Sequence, residues 1–183
     1  MAVLTVTIKE ELTLNGSNRG SENITSIASV TQSFNRIVTC PASQDTTIAA
    51  FQATTHTVAG KPTMAIDDVK YIRVTNLDAS NEVNLSLQVS TNENGVADSS
   101  CTLLLEAGKS FITGKVHDGI AVDDDTKNIN TTMTDLESIL VDPASNEVQV
   151  EALIALNKSR NELNQDKGLV VMATGMGKTI LSA

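Results

Sequence analysis

Tryptophan is absent from this sequence, and its aromatic side chains are Phe34, Phe51, Phe111 and Tyr71. So few rings cannot easily build the stacking platforms on which single-stranded nucleic acids lie, or the Trp/Tyr surfaces that grip sugars. Cysteine is scarcer still. Cys40 and Cys101 are too few and too far apart for a metal motif, and spacing alone cannot say whether they form a disulfide; two buried thiols are the expectation. The two histidines, His56 and His117, could make a histidine-based zinc or iron site only with ligands borrowed from another protomer. Both are read as surface or structural residues.

Positive charge is short as well. Thirteen Lys and Arg stand against 22 Asp and Glu, a formal charge of -9, which repels phosphate backbones and anionic lipid. The expected partners therefore include neither nucleic acid nor membrane. No apolar run approaches the length of a membrane span, and the N-terminus lacks the basic, apolar, small-residue order of a signal peptide. A soluble, cytoplasm-made protein is the expectation. The charge is uneven: residues 151–183 carry four basic and three acidic side chains, leaving -10 on residues 1–150.

What the sequence does have is alternation. With 183 residues, 40% of them hydrophobic, the chain can build the core of one ordinary domain. Leu4, Val6, Ile8, Leu12 and Leu14 fall on one face of a half-buried strand that turns at Asn15-Gly16. Residues 21–31 read as irregular, because Ile24, Ile27 and Val30 are spaced as on a short helix while Thr and Ser fill the gaps. Strands are expected at 32–40, stopped by Pro41, and at 46–56. The clearest hairpin pairs 69–75 with 83–89, and a second pair joins 100–106 to 110–113 through Ala107-Gly108-Lys109. Strand character resumes at 135–141, and Val148, Val150, Ala152, Ile154 and Leu156 close the series. Short strands at regular spacing, with no room for βαβ crossovers, indicate an all-β antiparallel β-sandwich, jelly-roll or Ig-like, over residues 1–156. Residues 157–183 form a short non-β tail with a P-loop-like sequence.

That tail carries the most specific motif. Gly175, Gly177, Lys178 and Thr179 are the residues of a phosphate-cradling turn, the lysine reaching the outer phosphates and the hydroxyl a magnesium ion. The full spacing wants a glycine where Met172 stands, and four residues follow Thr179, so the helix that should aim at the phosphate would have a single turn. The remaining parts of a phosphoryl-transfer site have no counterpart; the expectation is a non-enzymatic chain without a cofactor. Asp123, Asp124 and Asp125, with Asn128 nearby, could offer oxygen ligands to a hard cation. They lack the alternating spacing and glycine of an EF-hand loop, and read better as a solvated acidic loop. No GxSxG elbow is present.

Two resemblances go with these motifs. "KGLVVMATGMGKTILSA", with "EALIALNKSRNE" upstream, resembles the motif I region of superfamily 2 helicases and type I restriction motor subunits, which implies nucleotide contacts for Lys178 and Thr179. Within residues 5–155, "TVTIKEELTLNGSNRGSEN", "RIVTCPASQDTTIAAF", "DVKYIRVTNLDASNEVNLSLQV", "LLLEAGKSFITG" and "DLESILVDPASNEVQVEALIA" resemble uncharacterised structural proteins of tailed phages of aquatic bacteria. That resemblance implies a virion component, a capsid decoration, knob or tail-associated subunit. It would form a homo-oligomer and meet a major capsid or tail protein. The competing expectations are a nucleotide-binding fragment of a helicase-like ATPase and an adhesion or carbohydrate-binding module.

Overall fold

Alternating segments become strands here wherever one side of the chain finds cover. The computed structural model describes residues 2–52, 64–89, 99–122, 129 and 133–157. The strands are β1 (Ala2–Lys9), β2 (Thr13–Leu14), β3 (Ser17–Asn18), β4 (Glu22–Val30), β5 (Gln32–Cys40), β6 (Thr46–Gln52) and β7 (Met64–Ala65). They continue as β8 (Val69–Asn76), β9 (Val83–Val89), β10 (Ser99–Leu105), β11 (Ser110–Thr113), β12 (Ser138–Asp142) and β13 (Val148–Leu156). A 3-10 turn, Ile66–Asp68, leads into β8.

Two sheets make the body, one ordered β11-β8-β13-β5 and the other β10-β9-β12-β6-β7. All their pairings are antiparallel except the short β6–β7 pair. One core cluster joins them: Ile72, Val74, Val150, Ala152 and Ile154 from the first sheet pack with Ile48, Leu85, Ile139 and Val141 from the second. From β5 onward the chain changes sheet at almost every connection, as the double Greek key of a jelly roll requires. The sandwich expectation holds, and the strand order selects its jelly-roll form over the Ig-like one.

The expected hairpins are corrected. Strand β8 pairs with β11 and β13, whereas β9 pairs with β10 and β12, so the connection after Asn76 crosses between sheets. The same holds for β10 and β11, and the hairpin present instead is β9–β10. The physical reason is that an alternating strand has one apolar face to bury, and a partner beside it or across the core satisfies that need equally. Side-chain chemistry bends the β8–β9 connection over. Asn76, fully buried, donates through Nδ2 to Asn81 O (2.8 Å) and Leu105 O (3.2 Å), while its Oδ1 accepts the Asp78 N–H at 3.0 Å. Asp78 Oδ1 in turn accepts the N–H groups of Ser80 (2.8 Å) and Asn81 (2.7 Å).

A second correction concerns residues 21–31, which form strand β4 instead of an irregular segment. Between Leu4↔Ile27 and Ala2↔Val30 the register gains one residue on β4, and Ser29 there takes a φ of 61°. This bulge lets Ile27 and Val30, three apart, turn to the same side, where they pack with Tyr71 and Ala155 on the outer face of the four-stranded sheet. Leu4 and Val6 of β1 join that cluster. The β1–β4 ribbon is prolonged by the β2–β3 pair, which closes at Asn15 (φ 51°) and Gly16 (φ 76°), the left-handed pair of a type I′ turn.

Candidate assembly surfaces

Beyond its root the ribbon becomes an arm with little beneath it. Ile8 is 49% exposed, Leu12 54%, Leu14 55% and Ile24 60%, so the expected half-buried face of the first segment is covered only at Leu4 and Val6. The arm is nonetheless a built element. Past β1 its strands stay tied by Glu10 N–H to Ser21 O and Arg19 N–H to Leu12 O, both 2.7 Å, and Ser21 Oγ donates to Glu10 Oε2 at 2.6 Å. Lys9 and Glu11 form an ion pair on its surface. At Gly20 the two chains approach so closely that a Cβ would lie 1.9 Å from the Glu10 carbonyl oxygen.

Sheet edges supply further apolar surface. Strand β10 is an outer strand of the five-stranded sheet, and its sequence SSCTLLL contains neither charge nor proline, the usual guards against edge pairing. Leu104 is 58% exposed on it. Strand β5 is better guarded, with Arg36 lying over the Phe34 ring at 5.9 Å. Ile37 of β5 and Ile112 of β11 are also exposed, and between them an Arg73–Glu151 ion pair (2.6 Å) crosses the outer face of the four-stranded sheet.

A magnitude shows what this surface can achieve. Burying a whole Leu or Ile side chain stabilises by about 1.5–3 kcal/mol, so the four half-exposed arm residues offer roughly 3–6 kcal/mol. Association costs about 4–15 kcal/mol in lost freedom. The arm alone cannot hold a pair of copies together; it needs backbone pairing along an edge, or a closed ring in which each copy both gives and receives.

Of the residues singled out in the sequence, Gly175, Gly177, Lys178 and Thr179, the acidic run Asp123, Asp124 and Asp125, Asn128 and His56 lie outside the described residues. Both cysteines are free thiols, but the expectation of two buried ones is corrected: Cys40 is fully buried and Cys101 only half-buried, on a strand that among the described residues has a neighbour on one side only. Burial pushes the Cys40 thiol up, against smaller opposing pulls from a Thr46 hydrogen bond and the Arg36 charge. His117, read as a surface or structural residue, is about one-third exposed and stands among Asp67, Asp118 and Asp135. No local spacing announces that group, since its members come from three separate segments.

The family match touches one end of the chain. Residues 143–183 match the family described as type III restriction enzyme, res subunit, in agreement with the helicase-motif resemblance of the tail. The match begins inside the sandwich: its residues Val148–Leu156 are β13, hydrogen-bonded to β5 on one side and β8 on the other. No curated protein matches the chain. One solved structure, from work on Bacillus endospore appendages as a family of disulfide-linked pili, is 12% identical with a TM-score of 0.37, over 75% of this chain and 99% of that one. A likeness that slight identifies no function. Among the described residues no helix is long and apolar enough to cross a membrane.

Proposed function

We propose that the chain is a non-catalytic structural subunit that assembles with copies of itself, and that the assembly belongs to a phage particle as a decoration, knob or tail-associated component. The observation that carries self-assembly is the arm: a hydrogen-bonded ribbon that leaves four large apolar side chains about half exposed, beside a body with an unguarded edge strand. The place in a virion rests on the resemblance of residues 5–155 and on a jelly roll being an architecture that capsid proteins use. It brings with it a major capsid or tail protein as partner and a virion location. Residues 157–183 are a separate tail in this reading, without a role in assembly.

Light scattering on the purified chain tests the proposal. A defined multimer, unchanged by magnesium and ATP, is expected; Ile8→Thr, Leu12→Ser and Leu14→Ser together should shift it to monomer while leaving the far-ultraviolet circular dichroism of the body intact. A monomer at every concentration up to the millimolar range would end this reading. The match at residues 143–183 favours one alternative, a nucleotide-binding segment. Its signature would be saturable, magnesium-dependent ATP affinity abolished by Lys178→Ala.

A further inference from the structure

Each sheet of the body ends in two outer strands, β11 and β5 in one, β10 and β7 in the other. They are unequal as places for a further strand to join. Strand β7 has two residues and β11 four, too short for a long ladder, and β5 carries Arg36. Strand β10 runs for seven residues without charge or proline. Its core side is also left partly open among the described residues. Cys101, Leu103 and Leu105 stand opposite the buried Leu87, Leu85 and Val83, so all three face the core, yet Cys101 is half-buried and Leu103 stays 37% exposed. One more strand beyond β10 would cover both.

The arm carries a strand of matching length and character. Strand β1, AVLTVTIK, has eight residues with Lys9 its single charge, and among the described residues it pairs on one side only, with β4. We infer that β1 of one copy adds to β10 of a second copy, so that the arm extends the second copy's five-stranded sheet and its apolar side chains cover Leu103 and Leu104. This rests on the self-assembly proposed above and names the surface that receives the arm. Two arguments favour this occupant. The arm's exposed side chains fall short of the cost of association when they act alone, and a ladder along a seven-residue edge adds the main-chain hydrogen bonds that make strand addition hold. Charge agrees: each chain carries a formal -9, but neither strand contains an acidic residue, so the ladder itself sets no carboxylate against another. Donor and receiver are different surfaces of one chain. Each copy therefore gives an arm and accepts one, and the contact closes into a ring or continues as a filament instead of ending at a two-fold pair.

The test is complementation of the full chain, read by sedimentation velocity. The arm variant Ile8→Thr, Leu12→Ser, Leu14→Ser lacks the donor. The edge variant Thr102→Lys, Leu104→Lys puts charge on two exposed positions of the receiver. Each should be monomeric alone. Mixed in equal amounts they should form a species of about twice the protomer mass and nothing larger, because one intact arm and one intact edge remain. An edge variant that keeps the parent's multimer would overturn the inference, as it would if arms paired with arms or if one of the chain's own segments covered β10. So would two monomeric variants that fail to complement. Both results leave self-assembly standing, whereas a monomeric parent would overturn both readings. Circular dichroism matching the parent would show that the variants are folded. Should the double edge variant not fold, Thr102→Lys alone should weaken assembly about tenfold or more, and an unchanged multimer would again overturn the inference.

Discussion

Replacing Asn76 by alanine removes three hydrogen bonds at the point where the chain leaves one sheet for the other. Two carbonyls, of Asn81 and Leu105, lose a donor, and the Asp78 N–H loses its acceptor. Stranding buried polar groups costs about 1–3 kcal/mol, and that is the destabilisation expected for Asn76→Ala in urea melts. Asn76→Asp should cost at least as much, since it sets carboxylate oxygens against both carbonyls; a neutral result for either variant would mean that water replaces the amide. Two residues on, the N–H groups of Ser80 and then Asn81, with the Asn81 amide, hold the Asp78 carboxyl below the usual carboxylate range. Because its folded-state pKa is depressed, Asp78 contributes stability that is present above the ordinary carboxylate pKa and lost as pH falls through the lowered folded value. Carbon-13 titration of its carboxyl should show that lowered midpoint, and Asp78→Asn should flatten the acid limb of the stability curve. A carboxyl titrating at its ordinary value would contradict the turn geometry.

At the level of elements, the long strands of the four-stranded sheet that bury one alternating face were readable from the sequence, whether at its edge or inside it. Gln32–Cys40 and Val148–Leu156 appear as expected, because strict alternation meets a proline stop in the first and buried β-branched or small residues in the second. Pairing was not readable, since period-two alternation names the buried face without naming the neighbour. Glu22–Val30 was missed for a different reason: the bulge at Ser29 lets Ile27 and Val30 bury together, and a three-residue spacing imitates a helix in sequence. The His117 cluster left no local trace at all, because the fold assembles it across segments 67, 117–118 and 135. The arm offers an element-scale test. Gly20→Ala must push the strands apart at Glu10, so hydrogen exchange at Arg19 and Glu10 should accelerate at least tenfold. The body, whose core between the two sheets includes none of residues 2–22, should keep its melting temperature within about 2 °C, a shift worth under roughly 1 kcal/mol for a domain this size. A large loss of global stability would show that the arm is part of the folding unit.

For the whole molecule, the opposition between charge and apolar surface decides how copies meet. Each chain carries a formal -9, so two copies repel, while the arm contributes Ile8, Leu12, Leu14 and Ile24 as attraction that does not depend on charge. At 0.1 M salt, repulsion between exposed charges already fades beyond about 10 Å, and at 1 M beyond about 3 Å. If apolar contact and backbone pairing hold the assembly, raising sodium chloride from 0.05 to 0.5 M should therefore increase the multimer fraction, read by sedimentation velocity at fixed protein concentration. Dissociation on adding salt would mean that ion pairs hold the interface, and would point away from the arm toward charged surface such as the Arg73–Glu151 pair on the outer sheet face. The two outcomes separate because apolar burial strengthens slightly with salt while exposed ion pairs weaken. The same measurement on the Ile8, Leu12 and Leu14 triple variant completes the argument: salt should no longer drive assembly once screening has nothing apolar to reveal.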